Sequence, residues 1–188
     1  MTCAQSAASR FSGVPNSSTK QLTLLLGGAR SGKSRTAERL AASSHRVLLV
    51  ATAEPGDDDM RARIARHRAD RPAEWATLEE PRDLAGAIAA YRGEYDTLVL
   101  DCVTVWISNL MLAGADVFGA VDALLETFEH GAASWIVVSN EVGLGIVPAT
   151  ELGRQYRDIL GQVNQRVATR ADRAYLLVAG RALPLERL

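Results

Sequence analysis

Short apolar runs alternate with amphipathic segments along most of this sequence. The strongest runs, at residues 22–26, 47–51, 97–101, 135–139 and 174–179, have the length of buried strands, and a weaker one lies at 75–78. The segments between them predict helices at about residues 35–43, 57–70, 81–92, 103–113, 121–130 and 150–170. This alternation favours a single α/β domain with a mainly parallel sheet flanked by helices. The run at 174–179 is predicted to be the last strand.

A glycine-rich turn of the form G-x-x-x-x-G-K-S follows the first run and is typical of a P-loop NTPase. Gly27 and Gly32 allow backbone angles that a side chain would hinder, so successive N–H groups can face phosphate oxygens. Lys33 is predicted near the β- and γ-phosphates of a nucleotide. A chance glycine turn is the alternative, but strand, loop and helix all fall where the motif needs them. The predicted phosphate-binding residues are Gly27, Gly28, Ala29, Arg30, Ser31, Gly32, Lys33 and Ser34.

Polar residues also follow other predicted strands, at the edge where open α/β sheets bind ligands. Thr52 follows the second strand, and Asp101 ends the next strong run in the pattern of a Walker-B element. A carboxylate at that point lies near the nucleotide-bound Mg²⁺. Asp101 and the hydroxyl of Ser34 are therefore the predicted magnesium ligands. Farther on, two glycines and a proline at residues 140–148 predict a shaped loop.

The predicted helix after the second strand carries His67 among arginines. Met60, Ile64 and His67 fall on one helical face, so one interpretation is a partly buried histidine at the end of an apolar stripe. Spacing alone favours that interpretation. The alternative is a phosphorus nucleophile, because neighbouring cations would hold a triphosphate and stabilise the charge that develops at phosphorus. The cations in question are Arg61, Arg63, Arg66, Arg68 and Arg71.

Size and composition indicate an ordinary globular protein. The chain has 188 residues, 47% of them hydrophobic, and a net charge of −1, so no overall field favours nucleic acid or an acidic membrane surface. No apolar run approaches the roughly 20 residues that span a bilayer, and the two cysteines lack metal-site spacing. A cytoplasmic protein is expected. Residues 1–20 are predicted to be a disordered extension of a nucleotide-binding domain at residues 21–188.

Several separate segments carry sequences typical of one family. They are GGARSGKS at 27–34, ATA at 51–53, DDM at 58–60, RI at 63–64, His67, RP at 71–72, DCVT at 101–104, SNEVGLGIVP at 139–148, YRD at 156–158 and VNQ at 163–165. Together they resemble the bifunctional adenosylcobinamide kinase and adenosylcobinamide-phosphate guanylyltransferase of cobalamin biosynthesis. The resemblance covers about residues 22–181. Many NTPases share the phosphate loop, whereas the loop at 140–148 and the histidine helix are far more specific.

The resemblance implies two reactions on a RecA-like P-loop scaffold. A nucleoside triphosphate, ATP or GTP, phosphorylates the hydroxyl of the aminopropanol arm of adenosylcobinamide. GTP then guanylylates a histidine, and the GMP passes to the phosphorylated cobinamide to give adenosyl-GDP-cobinamide. The resemblance also implies a homotrimer in which the histidine helix could approach a neighbouring subunit. Mg²⁺ is expected from Ser34 and Asp101, and no nucleic-acid partner is expected from the net charge.

The family's site residues carry over position by position. His67 matches the guanylylated histidine, and Arg66 replaces a first histidine that some relatives have. His67 and Lys33 are therefore the predicted catalytic residues. Two rival interpretations remain: a P-loop small-molecule kinase with a structural His67, and a regulatory NTP-binding module. Besides the phosphate loop, the implied nucleotide contacts are Ala51, Thr52, Ala53, Arg68, Ala69, Asp70, Arg71, Glu79 and Asp101.

Overall fold

A computed structural model describes residues 20–54, 56, 58–69 and 71–187. Nearly all of the predicted N-terminal extension, residues 1–19, lies outside this range, as does Asp70. The strands are β1 (Leu22–Gly27), β2 (Val47–Ala51), β3 (Ala76–Glu79), β4 (Thr97–Asp101), β5 (Ser134–Val138), β6 (Arg173–Val178) and β7 (Arg181–Leu185). The helices are α1 (Lys33–Ala41), α2 (Asp58–Ala69), α3 (Leu84–Ala90), α4 (Val103–Leu112), α5 (Val117–His130) and α6 (Glu151–Arg170).

The described strands form one sheet in the order β3-β2-β4-β5-β1-β6-β7. Every neighbouring pair from β3 to β6 is parallel, which confirms the predicted mainly parallel sheet. β5 lies between β1 and β4, so the chain leaves β5 between the phosphate loop and the predicted Walker-B strand. This order decides which residues meet at the carboxyl edge of the sheet.

The prediction that the run at 174–179 is the last strand is wrong. β7 follows it and pairs with β6 in an antiparallel hairpin. Ala179 and Gly180 connect the two strands with φ angles of 51° and 76°, the left-handed geometry of a tight hairpin turn. β7 has no recognisable strand pattern in the sequence, because most of this edge strand is exposed and Pro184 interrupts its apolar residues.

Alternation of side chains along the strands gives the sheet two apolar faces. One core contains Leu24, Leu48 and Leu98, and the other contains Leu25, Leu49 and Val99. Successive residues point to opposite faces of a strand, so continuous apolar runs are what a sheet covered on both sides requires. Burying each leucine side chain contributes about 1.5–3 kcal/mol. The same burial holds the strand ends in register at the site.

Caps shift two predicted helix starts. α3 begins at Leu84 rather than at Pro81, because the Asp83 side chain accepts a 3.0 Å hydrogen bond from Gly86 N. α5 begins at Val117 rather than near residue 121, because Asp116 accepts a 3.1 Å bond from Gly119 N. None of the helices among the described residues is both long and apolar enough to cross a membrane.

Candidate functional site

The phosphate loop has the backbone geometry that its motif predicts. Gly27 and Gly32 have φ angles of 150° and 99°, which confirms the expectation that these positions need glycine. A Cβ atom at Gly27 would also lie only 2.4 Å from the carbonyl oxygen of Leu177 on β6. At this position, therefore, both the angle and the neighbouring strand exclude a side chain.

The β6–β7 turn supports the phosphate loop from the other side. Gly180 N donates a 2.9 Å hydrogen bond to Ser31 O. A Cβ atom at Gly32 would lie 3.2 Å from Gly180 Cα, so the two backbones are in close contact. This support was not predicted from the sequence because β7 was not predicted. Its only sequence signal is the Ala179-Gly180 pair between the two short runs.

Lys33 begins α1, so its ammonium group stays close to the loop. Its Nζ donates to Gly27 O at 2.8 Å and to Gly28 O at 2.7 Å, and the residue is only 7% exposed. α1 begins directly at the end of the loop, since Gly32 is its N-cap and accepts the first helical bond from Thr36 N at 3.0 Å. Anions bind favourably where a helix N-terminus and a lysine meet. The loop thus brings a cation and a helix N-terminus to one place.

A cleft beside the loop brings together residues from several elements. Ser34 from α1, Asp101 from the end of β4 and His67 from α2 all line it. The strand order explains the meeting, because β2 and β4 are adjacent and α2 follows β2. Other predicted site residues on the wall are Ala51, Thr52, Ala53, Arg71 and Glu79.

Thr52 was predicted as a nucleotide contact, but in the structure its hydroxyl is hydrogen-bonded to backbone groups of the protein. The residue is fully buried, and its Oγ1 donates to Cys102 O at 2.8 Å and accepts from Cys102 N at 3.1 Å. Asn109 Nδ2 on α4 donates to Thr52 O at 2.8 Å. Thr52 therefore ties the end of β2 to the residue after Asp101 and positions that carboxylate.

His67 is exposed on α2, whereas Ile64, one turn earlier, is half-buried. The interpretation of His67 as a partly buried end of an apolar stripe is therefore wrong. The imidazole lies on the cleft wall with Ile64, where a reactant can reach it. The exposure of His67 is therefore compatible with a chemical role, although it does not assign one.

An ion-pair cluster joins the end of α2 to β3. Glu79 pairs with both Arg68, whose Nε lies 2.8 Å from Oε1, and Arg71, whose Nη1 lies 3.6 Å away. The hydrogen bond from Arg68 holds the pKa of Glu79 below its ordinary value, although partial burial acts in the opposite direction. Two of the arginines near His67 thus share one carboxylate, which offsets one of their two positive charges. Ala69, between them, is exposed.

A buried network fixes the start of the loop at residues 140–148. Ser139 Oγ donates to Asn164 Oδ1 at 2.7 Å, and Asn164 Nδ2 donates to Asn140 O at 3.0 Å. Asn140 N donates to Thr104 Oγ1 at 2.8 Å, next to the Asp101 segment. The hydroxyl of Tyr156 donates to Thr104 O at 2.9 Å, and burial raises its pKa. This loop is therefore anchored to the same edge as the cleft.

A protein-family model described as "Cobinamide kinase / cobinamide phosphate guanyltransferase" matches residues 23–185. The chain belongs to this family. It is 48% identical over 166 residues to a "Bifunctional adenosylcobalamin biosynthesis protein CobP" of Pseudomonas aeruginosa, with 87% of this chain and 96% of that protein covered. It is 40% identical over 174 residues to a "Bifunctional adenosylcobalamin biosynthesis protein CobU" of Salmonella typhimurium, with 85% and 96% covered.

Solved structures of more distant proteins share the fold of this family member. The flagellar accessory protein FlaH of Methanocaldococcus jannaschii superposes with a TM-score of 0.52 at 14% identity, covering 88% of this chain and 78% of that one. The ATPase EscN of the enteropathogenic E. coli type III secretion system, in complex with its stalk, gives a TM-score of 0.55 at 16% identity, covering 90% and 47%. At such identities the likeness concerns the fold alone.

Proposed function

We propose that this chain phosphorylates adenosylcobinamide and then transfers GMP to the product through a guanylyl group on His67. Membership of the kinase and guanyltransferase family supports the two activities. The observation that carries the assignment to His67 is its position on the wall of the cleft that Ser34 and Asp101 also line. A side chain that attacks a bound triphosphate has to lie within reach of the predicted phosphate and magnesium sites.

The guanylyl half needs two displacements at one phosphorus. A nitrogen of His67 attacks the α-phosphorus of GTP, and the bond to pyrophosphate breaks. A phosphate oxygen of the phosphorylated cobinamide then attacks the same phosphorus, and the P–N bond breaks to restore the imidazole. Covalent catalysis of this kind divides one difficult transfer into two easier ones and predicts ping-pong kinetics.

The side chains in the cleft fit a magnesium ion that would arrive with the nucleotide. Ser34 offers a hydroxyl and Asp101 a carboxylate, the oxygen ligands that Mg²⁺ prefers when phosphates complete its shell. Among the described residues, no cluster of His, Cys, Asp and Glu could hold a metal on its own. A bound Mg²⁺ would offset negative charge on the phosphates, while Lys33 and the N-terminus of α1 hold them in place.

Labelling with GTP tests the assignment directly. Incubation with α-labelled GTP and Mg²⁺ is expected to leave an acid-labile, base-stable label on the protein. His67→Ala should abolish the label, while His45→Ala, at an exposed residue before β2, should keep it. A label that survives in His67→Ala would contradict the assignment. A wild-type protein that phosphorylates cobinamide but takes no label would favour the simple kinase, and one that does neither would favour a regulatory NTP-binding module.

The oligomer and the location remain predictions. We propose a homotrimer in the cytoplasm, as the resemblance implies, in which His67 could lie close to a neighbouring subunit. Its exposure supports this, since an exposed side chain on α2 can also be reached from outside the subunit. Light scattering of the purified protein tests the trimer, and a monomer mass would exclude it.

A further inference from the structure

Glu141 lies where the chain leaves the sheet beside the phosphate loop. Beyond β5, Ser139 N donates to Leu25 O at 2.9 Å, and Glu141 N donates to Gly27 O at 3.2 Å. The chain therefore continues alongside β1 as far as the first residue of the phosphate loop. Because β5 separates β1 from β4, this segment leaves the sheet between the phosphate loop and Asp101.

The Glu141 carboxylate is held by its own loop. Its Oε1 accepts a 2.6 Å hydrogen bond from Gly143 N, and the residue is half-buried. None of the ion pairs found between described residues includes Glu141. It is thus an oriented carboxylate whose observed partner is a neutral N–H group, which leaves acceptor capacity on its oxygens.

Carboxylates at the neighbouring strand ends are committed elsewhere. Glu54, after β2, pairs with Arg82 at 2.7 Å, and Glu79, at the end of β3, pairs with Arg68 and Arg71. Asp101, at the end of β4, is the proposed magnesium ligand. Glu80, also after β3, accepts from Arg82 N and Asp83 N at 2.9 Å and lies at the far edge of the sheet. Among the described carboxylates that follow these strands, Glu141 is therefore the one beside the phosphate loop that the guanylyl and metal roles do not use.

We propose that Glu141 is the general base of the kinase reaction, a role that rests on the proposed function. The acceptor alcohol oxygen bonds to the γ-phosphorus as the bond from that phosphorus to the bridging oxygen breaks. The nucleoside diphosphate leaves with the bonding electron pair, and the hydroxyl proton passes to the Glu141 carboxylate and then to solvent. A phosphoryl acceptor needs a positioned carboxylate of this kind, and kinases of other folds use an aspartate.

Glu141→Gln tests this role because glutamine keeps an oxygen for Gly143 N but is not a base. We expect kinase turnover to fall by about 100-fold or more, the usual range for losing a general base. The acid limb of the kinase pH profile should disappear as well. Labelling of His67 by α-labelled GTP should stay near the wild-type level, which also shows that the variant folds. Glu141→Asp should restore part of the turnover, and Glu151→Gln, at an exposed residue that begins α6, is the matched control.

The outcomes separate this proposal from the proposed function. Kinase turnover in Glu141→Gln within about threefold of wild type, far less than a general base contributes, would overturn the proposal. Loss of kinase and labelling together would also overturn it, because Glu141 would then serve the shared triphosphate site. A wild-type protein without kinase turnover would overturn the proposed function itself, and it is recognised before any variant is made.

Discussion

The phosphate loop and the histidine helix form the same cleft but are held in place by different forces. The loop has a buried lysine, glycines whose angles and neighbours exclude side chains, and a backbone bond to the β6–β7 turn. α2 exposes most of its described side chains, and its end is joined to β3 by surface ion pairs through Glu79. Exposed pairs of this kind contribute only about 0.2–1 kcal/mol each.

Because the two regions are held differently, substitutions in them should affect the two proposed reactions differently. In the proposed function both reactions use a triphosphate held by the loop, whereas only guanylyl transfer uses His67. Changes in the loop should disturb both reactions together and often the fold as well. Changes on α2 should disturb guanylyl transfer alone and cost little stability. Each of the following experiments challenges that division.

Removal of the positive charge of Lys33 should have the largest effect. In Lys33→Ala we expect both kinase turnover and labelling to fall by about 100- to 1,000-fold, as when one preorganised electrostatic contact is lost. The Lys33 ammonium lies within hydrogen-bond distance of Gly27 O and Gly28 O, so the loop itself holds it at the predicted phosphate site. Steady-state kinetics and α-labelled GTP measure the two reactions.

The matched comparison is His67→Ala, in which labelling should vanish while kinase turnover stays near wild type. Circular dichroism controls for folding in both variants. If Lys33→Ala impaired only one reaction, the two reactions would not share this loop, and the division would fail.

A methyl group at Gly27 should have the next largest effect. We expect Gly27→Ala to lower the free energy of unfolding by about 2–3 kcal/mol, because it combines backbone strain with a steric clash. The φ angle is 150°, and the new Cβ atom would lie 2.4 Å from Leu177 O. Urea unfolding measures the difference. Gly28→Ala is the control, since a Cβ atom there has nothing within 4 Å, and equal destabilisation of both variants would contradict the steric argument.

Loss of the Tyr156 hydroxyl tests the network that anchors the loop at residues 140–148. At pH 7, Tyr156→Phe should lose about 1 kcal/mol with the hydrogen bond to Thr104 O. Burial raises the pKa of Tyr156, so the folded protein keeps a proton that the unfolded chain loses above about pH 10. The stability that this residue contributes is therefore present below about pH 10 and is lost as the pH rises from there toward the raised pKa of the folded state.

The phenylalanine variant should accordingly approach wild-type stability above that pH. Urea unfolding at neutral and alkaline pH gives the comparison. A constant difference between the two proteins at both pH values would contradict the assigned cause. A changed kinase rate at neutral pH would show in addition that the anchored loop serves catalysis.

The contrast between the two regions also explains what could be predicted from the sequence. The phosphate loop was predictable because its backbone angles are determined locally by Gly27 and Gly32. The bounds of β2 and β4 were also predicted correctly, since both strands are buried on two faces. The sequence did not reveal β7, whose pairing is with β6 and whose side chains are mostly exposed.

Residues that act through distant partners were harder to predict. Thr52 was singled out because a small polar residue follows β2, but its hydroxyl bonds to Cys102, 50 positions away. Glu79 meets Arg68 across 11 positions, a pairing that no local pattern encodes. The caps at Asp83 and Asp116 are local and could have been recognised from the aspartate directly before each apolar helical segment. The family resemblance implied the role proposed for His67, but only the fold shows that His67 shares a cleft with Ser34 and Asp101.

Glu79→Gln should have the smallest effect and tests the histidine helix itself. The Glu79 and Arg68 side chains are 45% and 56% exposed, so we expect a loss of stability below about 1 kcal/mol at pH 7. Arg68 lowers the pKa of folded Glu79, so this stability is present above the unfolded pKa of about 4.3 and is lost as the pH falls through the folded value. Wild type and variant should therefore converge in acid. Asp122→Asn removes the similarly exposed pair with Arg166 and is the matched control.

If α2 needs Glu79 to hold His67 at the cleft, only Glu79→Gln should also slow labelling of His67, with kinase turnover unchanged. Equal losses of both reactions would instead place Glu79 at the shared nucleotide, as the family resemblance implies, and would remove the division between the two regions.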